Sequence, residues 1–228
     1  MIPIFLAVLV GLAQYFSDSM QKLFMKHRQR ILSITSGIIL AYVFLIMLPE
    51  LYKGVAFLSQ LLFIYILIGF IMFYSLEKYI YQHTLPKKRL RELRESHTLV
   101  LLLYHVVLGI IFTDMIAESV FTTVLFFIPI LLQSTFGMSS IKELHGSVTN
   151  NAYTKIFLSS STLFGVLLAS FFPIPSEVYH AALGFVAGAL LYIVIREEVP
   201  SEKRGSPTTF LFSLACYTVL IILDWYFF

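Results

Sequence analysis

Charge is what this sequence has least of. Of its 228 residues 13% are charged and 58% are hydrophobic, with a mean hydropathy of +0.86. A soluble domain is about 25% charged and about 45–50% apolar. A soluble fold of this size has too little interior to hide so much apolar surface, which makes lipid its natural solvent. Cysteine is nearly absent: Cys216 stands alone, which excludes a disulfide framework, a Cys-rich zinc site and a CxxC redox pair. It reads as a small apolar filler. Nucleophile-elbow, P-loop, HExxH and GxGxxG patterns are missing too, so no enzyme and no cofactor are expected. No basic residue precedes the first apolar run, and the first one is Lys22. A secretory signal carries its positive charge before its apolar core, so IPIFLAVLVGLAQYF reads as a retained first helix.

What is present is a series of apolar runs near 2–16, 31–51, 54–75, 98–116, 119–138, 154–172, 177–195 and 208–227. A spanning helix needs about 20 such residues. The expectation is one all-α transmembrane domain over residues 1–228 with eight spans, the first helix running on through Asp18 toward Met25. Residues 98–138 are apolar almost without a break; as one helix they would reach about 60 Å, twice a hydrocarbon core. The chain must fold back, and the polar break Asp114–Met115–Ile116–Ala117–Glu118–Ser119 places a tight hairpin there. With this span count, fifteen of the sixteen basic residues fall on one side and Lys53 alone on the other. The positive-inside rule then sets both termini on the non-cytoplasmic side of a multi-pass protein, taken to be in the plasma membrane. The basic residues lie between spans, so nucleic acid is not an expected partner. The segment 76–97, with its run PKKRLRELRES, reads as a solvated loop, or as an interfacial helix on anionic lipid.

An ionisable residue within a span is costly and carries a functional hypothesis by default. His105 alone falls mid-span. Its imidazole could ligate a metal, relay a proton or simply hydrogen-bond a neighbouring helix. Glu50, Asp114, Glu118, Glu177 and Asp224 gather near the ends expected to be outside, where an acidic mouth would concentrate cations; the bland alternative is ordinary water-facing helix ends. Asp114 and Glu118 are the stronger candidates because they sit in the hairpin. The stretch Ser159–Ser160–Ser161–Thr162, represented by Ser160, could line a polar path or serve packing, as Gly165 and the Gly184/Gly188 pair do.

Several patterns together resemble the ZIP family of zinc and iron permeases. They are the second span ending in Leu48–Pro49–Glu50, small polar residues before Gly165, Pro129 in the fifth span, and Gly188-x-x-Leu191–Tyr192 followed by acids and Pro200. The grouping of spans as 3 + 2 + 3, with the longest inner loop after the third, also fits. The resemblance implies an eight-helix bundle that moves divalent metal cations. It also implies ligands in helices four and five, and there this chain departs. Aligned on Gly109 and Pro129, the ligand positions hold Tyr104, His105, Leu108, Phe126, Phe127 and Leu131. Carboxylate and imidazole ligands that could replace a dication's water have given way mostly to apolar groups.

Three readings follow. The first is a divergent ZIP-like transporter whose path uses His105, Asp114, Glu118 and Ser160, converging on one cavity. The second is a transport-incompetent ZIP-like scaffold or subunit with a closed apolar centre. The third, an intramembrane enzyme acting on lipid, would need clustered polar groups that the sequence does not supply. The expected partners are the lipid bilayer, a divalent cation, and a second copy of the chain or a larger membrane complex.

Overall fold

The computed structural model describes residues 2–83, 86–137, 152–198 and 205–227, and helix is the only regular structure among them. In order these are α1 (Ile2–Phe24), α2 (Arg28–Tyr42), α3 (Leu48–Lys53), α4 (Val55–Leu58), α5 (Leu62–His83), α6 (Pro86–Glu118), α7 (Val120–Leu132), α8 (Ala152–Phe171), α9 (Ser176–Ile193) and α10 (Pro207–Phe227). Five stretches are long and apolar enough to cross a membrane: Gln29–Lys53, Val55–His83, Tyr153–Phe171, Ser176–Arg196 and Pro207–Tyr226. Three shorter apolar helices, Ile2–Ser17, Leu101–Ile116 and Val120–Phe136, accompany them. The chain is thus an α-helical membrane protein. Lipid offers backbone groups no partner, so each segment must satisfy its own.

Burial ranks the helices. Of the most apolar windows, 61% of Gln29–Lys53 and 67% of Ser176–Arg196 lie inside the bundle, against 11% of Val55–His83 and 22% of Pro207–Tyr226. The α2–α3 unit and α9 are central, while α5 and α10 turn most of their surface outward. Cys216 is on that outward surface rather than in the core.

The most extensive helix contacts are α5 with α9, α6 with α8, α2 with α10, and α1 with α8. A glycine lies at each crossing. A methyl group on Gly109 would strike the backbone of Thr162, Val166 and Gly165; one on Gly188 would strike Ile66 and Phe70; one on Gly11 would strike Ser159; one on Gly37 would strike Phe210 and Ser213. Helices in lipid associate by close packing, not by a hydrophobic force, so these contacts set the bundle's geometry.

The fold-back between α6 and α7 is tighter than the six-residue break in the sequence. Ser119 is the single non-helical residue between them; it is extended (φ −151°, ψ 123°) and its Oγ accepts from the Thr122 amide at 3.2 Å. The segment 76–97 departs from the loop reading. α5 continues to His83 and α6 begins at Pro86. At 33 residues α6 is about 50 Å long, so its basic first turns extend past any hydrocarbon core as helix.

Pro129 lies inside α7. It has no N–H, which leaves the carbonyl four residues back, that of Leu125, without its helical partner. The Tyr217 hydroxyl of α10 donates to that carbonyl. The helix then widens into a π turn at Gln133–Gly137. Tyr217→Phe removes the donor and orphans a buried carbonyl, an expected loss of about 1–3 kcal/mol. It is measured as a lower unfolding temperature in detergent, and an unchanged temperature would show that the carbonyl has another partner.

Candidate functional site

The core is stratified. Its buried polar side chains include Gln14 and Ser17 of α1, Thr35 and Ser36 of α2, His105 of α6, Gln133 and Ser134 of the π turn, and Thr162 of α8, of which Gln14, His105 and Ser134 meet. The contact centres on His105, which is 1% exposed. The ring's Nδ1 is 2.7 Å from the Leu101 carbonyl oxygen. A carbonyl only accepts, so Nδ1 carries the proton and donates. In the neutral ring this leaves the Nε2 lone pair facing Ser134 Oγ at 3.2 Å and Gln14 Nε2 at 3.4 Å. Gln14 is 3% exposed and Ser134 2%. Three elements distant in sequence therefore meet on one imidazole: α1, α6 and the π turn, which also packs against α1 and α2. Several of these buried polar groups are under-satisfied. Gln14 Oε1, Gln133 Oε1, Thr35 Oγ1 and Thr162 Oγ1 are buried without a hydrogen-bond partner. In a low-dielectric interior each such group costs about 1–3 kcal/mol, so a group of them in one bundle calls for an explanation.

The next level is aromatic and apolar. Tyr42, Tyr104, Leu108, Phe112, Phe126 and Ile130 are fully buried. Tyr42 and Phe112 each lie 5.2 Å, ring centre to ring centre, from Phe126, and Phe112 lies 6.1 Å from Phe127. Of the positions where the resemblance would place ligands, Tyr104, Leu108, Phe126 and Phe127 belong to this packed apolar level, Leu131 packs at its edge, and His105 belongs to the polar level. Among the described residues no group of three His, Cys, Asp or Glu side chains stands together to hold a metal.

The other sequence candidates do not join His105. Asp114 lies nine residues further along α6, about 13.5 Å away, where its ionisable neighbour is His180 of α9. His180 stacks on Phe57 at 5.4 Å, and its Nδ1 is 2.8 Å from the Ser176 carbonyl oxygen. The Glu118 side chain lies outside the described residues. Ser160 is on the exposed face of α8, its hydroxyl donating to the Phe157 carbonyl; the buried hydroxyls of that stretch are those of Ser161 and Thr162. Glu50 pairs with Lys53 at 2.6 Å, Glu177 is exposed, and Asp224, 8% exposed, lies 3.5 Å from the Thr122 hydroxyl.

One buried acid escapes a reading from apolar runs alone. Glu77 lies within α5, and its carboxylate accepts from the Tyr192 hydroxyl of α9 and, at 3.2 Å, from Arg196. A signal was there: Gly69, Phe73, Glu77 and Ile80 recur at helical spacing and form part of the narrow buried face of α5. Ending the span at residue 75 placed Glu77 in a loop.

No protein-family model matches the chain, and none of the curated proteins matches it.

Proposed function

We propose that the protein is a ZIP-like membrane transporter for a cation, with eight spans grouped 3 + 2 + 3, and that its cargo passes the Gln14–His105–Ser134 contact instead of a binuclear metal site. The observation that carries this is the set of under-satisfied buried polar groups, Gln14 beside His105 among them. A purely structural bundle gains nothing by burying amide oxygens and hydroxyls that lack partners, whereas a route for a polar cargo needs such groups. Three π turns support the reading: Val43–Met47, Gln133–Gly137 and Val194–Glu198. Such turns recur at functional sites. The glycine crossings tie α1, α6 and α8 into one group, α5 to α9, and α2 to α10. These are units that could rock against one another to expose the polar level to either side. The split of basic residues sets both chain ends on the non-cytoplasmic side.

A second reading, a transport-incompetent ZIP-like scaffold or subunit, draws on a different observation. The aromatic level fills the positions where ligands would be, and phenylalanine cannot replace a dication's water. Uptake of radioactive zinc into proteoliposomes separates the two. Under the transport reading uptake is saturable and falls at least about tenfold in His105→Ala, a loss of about 1.4 kcal/mol, while Asp114→Asn has a weaker effect. Folded protein that takes up no more zinc than empty liposomes would end the metal-transport reading and leave the scaffold.

A further inference from the structure

The chemistry of the His105 site bears on which cations it accepts, an inference that rests on the site assignment above. The site is rich in lone pairs and poor in charge. The Leu101 carbonyl fixes the ring proton on Nδ1, so the Nε2 lone pair points toward Gln14 and Ser134. If the Gln14 amide turns its nitrogen to Nε2, as the 3.4 Å contact has it, Gln14 Oε1 is left buried and unpartnered. If the amide is reversed, two acceptors face each other. Neither orientation satisfies both groups. With the Ser134 hydroxyl on the same Nε2, the contact holds one imidazole nitrogen, one amide oxygen and one hydroxyl. Among the described side chains no carboxylate contributes: Asp114 is about 13.5 Å away along α6, and Glu77 is engaged with Tyr192 and Arg196.

Neutral donors of this kind can stand in for the hydration of a single positive charge, as rings of backbone carbonyls do for potassium. They do poorly for a dication. Its second charge stays uncompensated in a low-dielectric interior, and hard dications draw on carboxylates. We propose that Gln14, His105 and Ser134 form a binding site for a monovalent cation of sodium, potassium or ammonium size. The site shares His105 with the divalent positions that the family resemblance implies and differs from them in its other residues and in ligand class. Ser134 lies beyond those positions in the π turn, and Gln14 comes from α1. Cation binding gives the Gln14 amide oxygen and the Nε2 lone pair a common partner.

The test is thermal unfolding of the full chain in detergent, with sodium, potassium or ammonium chloride at about 100 mM against choline chloride at equal ionic strength. One or more of the three is expected to raise the unfolding temperature by about 3 °C or more. Gln14→Met keeps the side-chain volume and Ser134→Ala removes one oxygen; both are expected to lose that rise, while Cys216→Ser on the outer surface keeps it. Equal unfolding temperatures in all four salts would overturn the proposal, as would a rise that survives in both site variants. Measured beside zinc uptake, the result separates the two claims. Saturable zinc uptake without a monovalent effect overturns the monovalent site and leaves the transport reading standing. A monovalent effect lost in the variants, with no zinc uptake, supports the site and overturns zinc transport.

Discussion

Gly188→Ala is expected to unfold the bundle at a markedly lower temperature, while Gly184→Ala, one helical turn away, changes little. Both glycines belong to one GxxxG pair on α9, and sequence alone gives them equal weight. Their surroundings differ. The new methyl carbon at Gly188 would meet the Ile66 carbonyl, with Ile66 C at 2.8 Å and Phe70 N at 2.9 Å. All of these are backbone atoms, which cannot rotate away, so relief requires α5 and α9 to move apart. At Gly184 the nearest atom is Tyr65 Cβ at 3.2 Å, and the next lie at 3.5 Å. Shifts of a few tenths of an ångström accommodate that. Overpacking costs typically about 1–3 kcal/mol, and more where no side chain can yield; Gly188 belongs at or above the top of that range. Gly109→Ala follows the same logic against Val166 N at 2.7 Å and Gly165 Cα at 2.9 Å. Thermal unfolding in detergent and the yield of monodisperse protein are the readouts. A Gly188→Ala variant as stable as the parent would mean that the α5–α9 crossing is looser than described.

The two glycines illustrate where sequence reading stops. Hydropathy found the apolar runs because lipid imposes a length and a composition on any helix that crosses it. It located the α6–α7 fold-back near Ser119, because an uninterrupted helix over 98–138 would be too long for a bilayer. It failed at 76–97, where charge was taken to mean loop; a helix that leaves the hydrocarbon core keeps its backbone hydrogen bonds and only changes its side chains. His105 was legible as a lone ionisable group in mid-span. Its partners were not, since Gln14 and Ser134 are 91 and 29 residues away and no local pattern pairs them. The same holds for Pro129 and Tyr217. A proline announces an orphaned carbonyl but does not say which distant hydroxyl will answer it.

Arg196→Met is expected to destabilise the protein more than Glu77→Gln, although the two substitutions break the same ion pair. The asymmetry comes from burial. The Glu77 side chain is 8% exposed and that of Arg196 is 55% exposed. When Glu77 becomes glutamine, the freed guanidinium turns to water or lipid headgroups, and the new amide can still accept from Tyr192. When Arg196 becomes methionine, a carboxylate is left in the bundle with the Tyr192 hydroxyl donating to it. Phe70 and Phe73 pack on the Tyr192 ring beside it and offer no further donor. Removing one member of a buried pair costs about 3–5 kcal/mol because the other stays charged and uncompensated. Tyr192 keeps Arg196→Met near the low end of that range, and Glu77→Gln should cost about 1 kcal/mol. The double variant Glu77→Gln/Arg196→Met carries no buried charge, so it should recover stability relative to Arg196→Met alone. That non-additivity is the signature of a direct pair. The cycle is read from unfolding temperatures of the four proteins in one detergent. Additive losses, or a Glu77→Gln variant worse than Arg196→Met, would show that the carboxylate is solvated and that α5 and α9 are held by their glycine crossing alone.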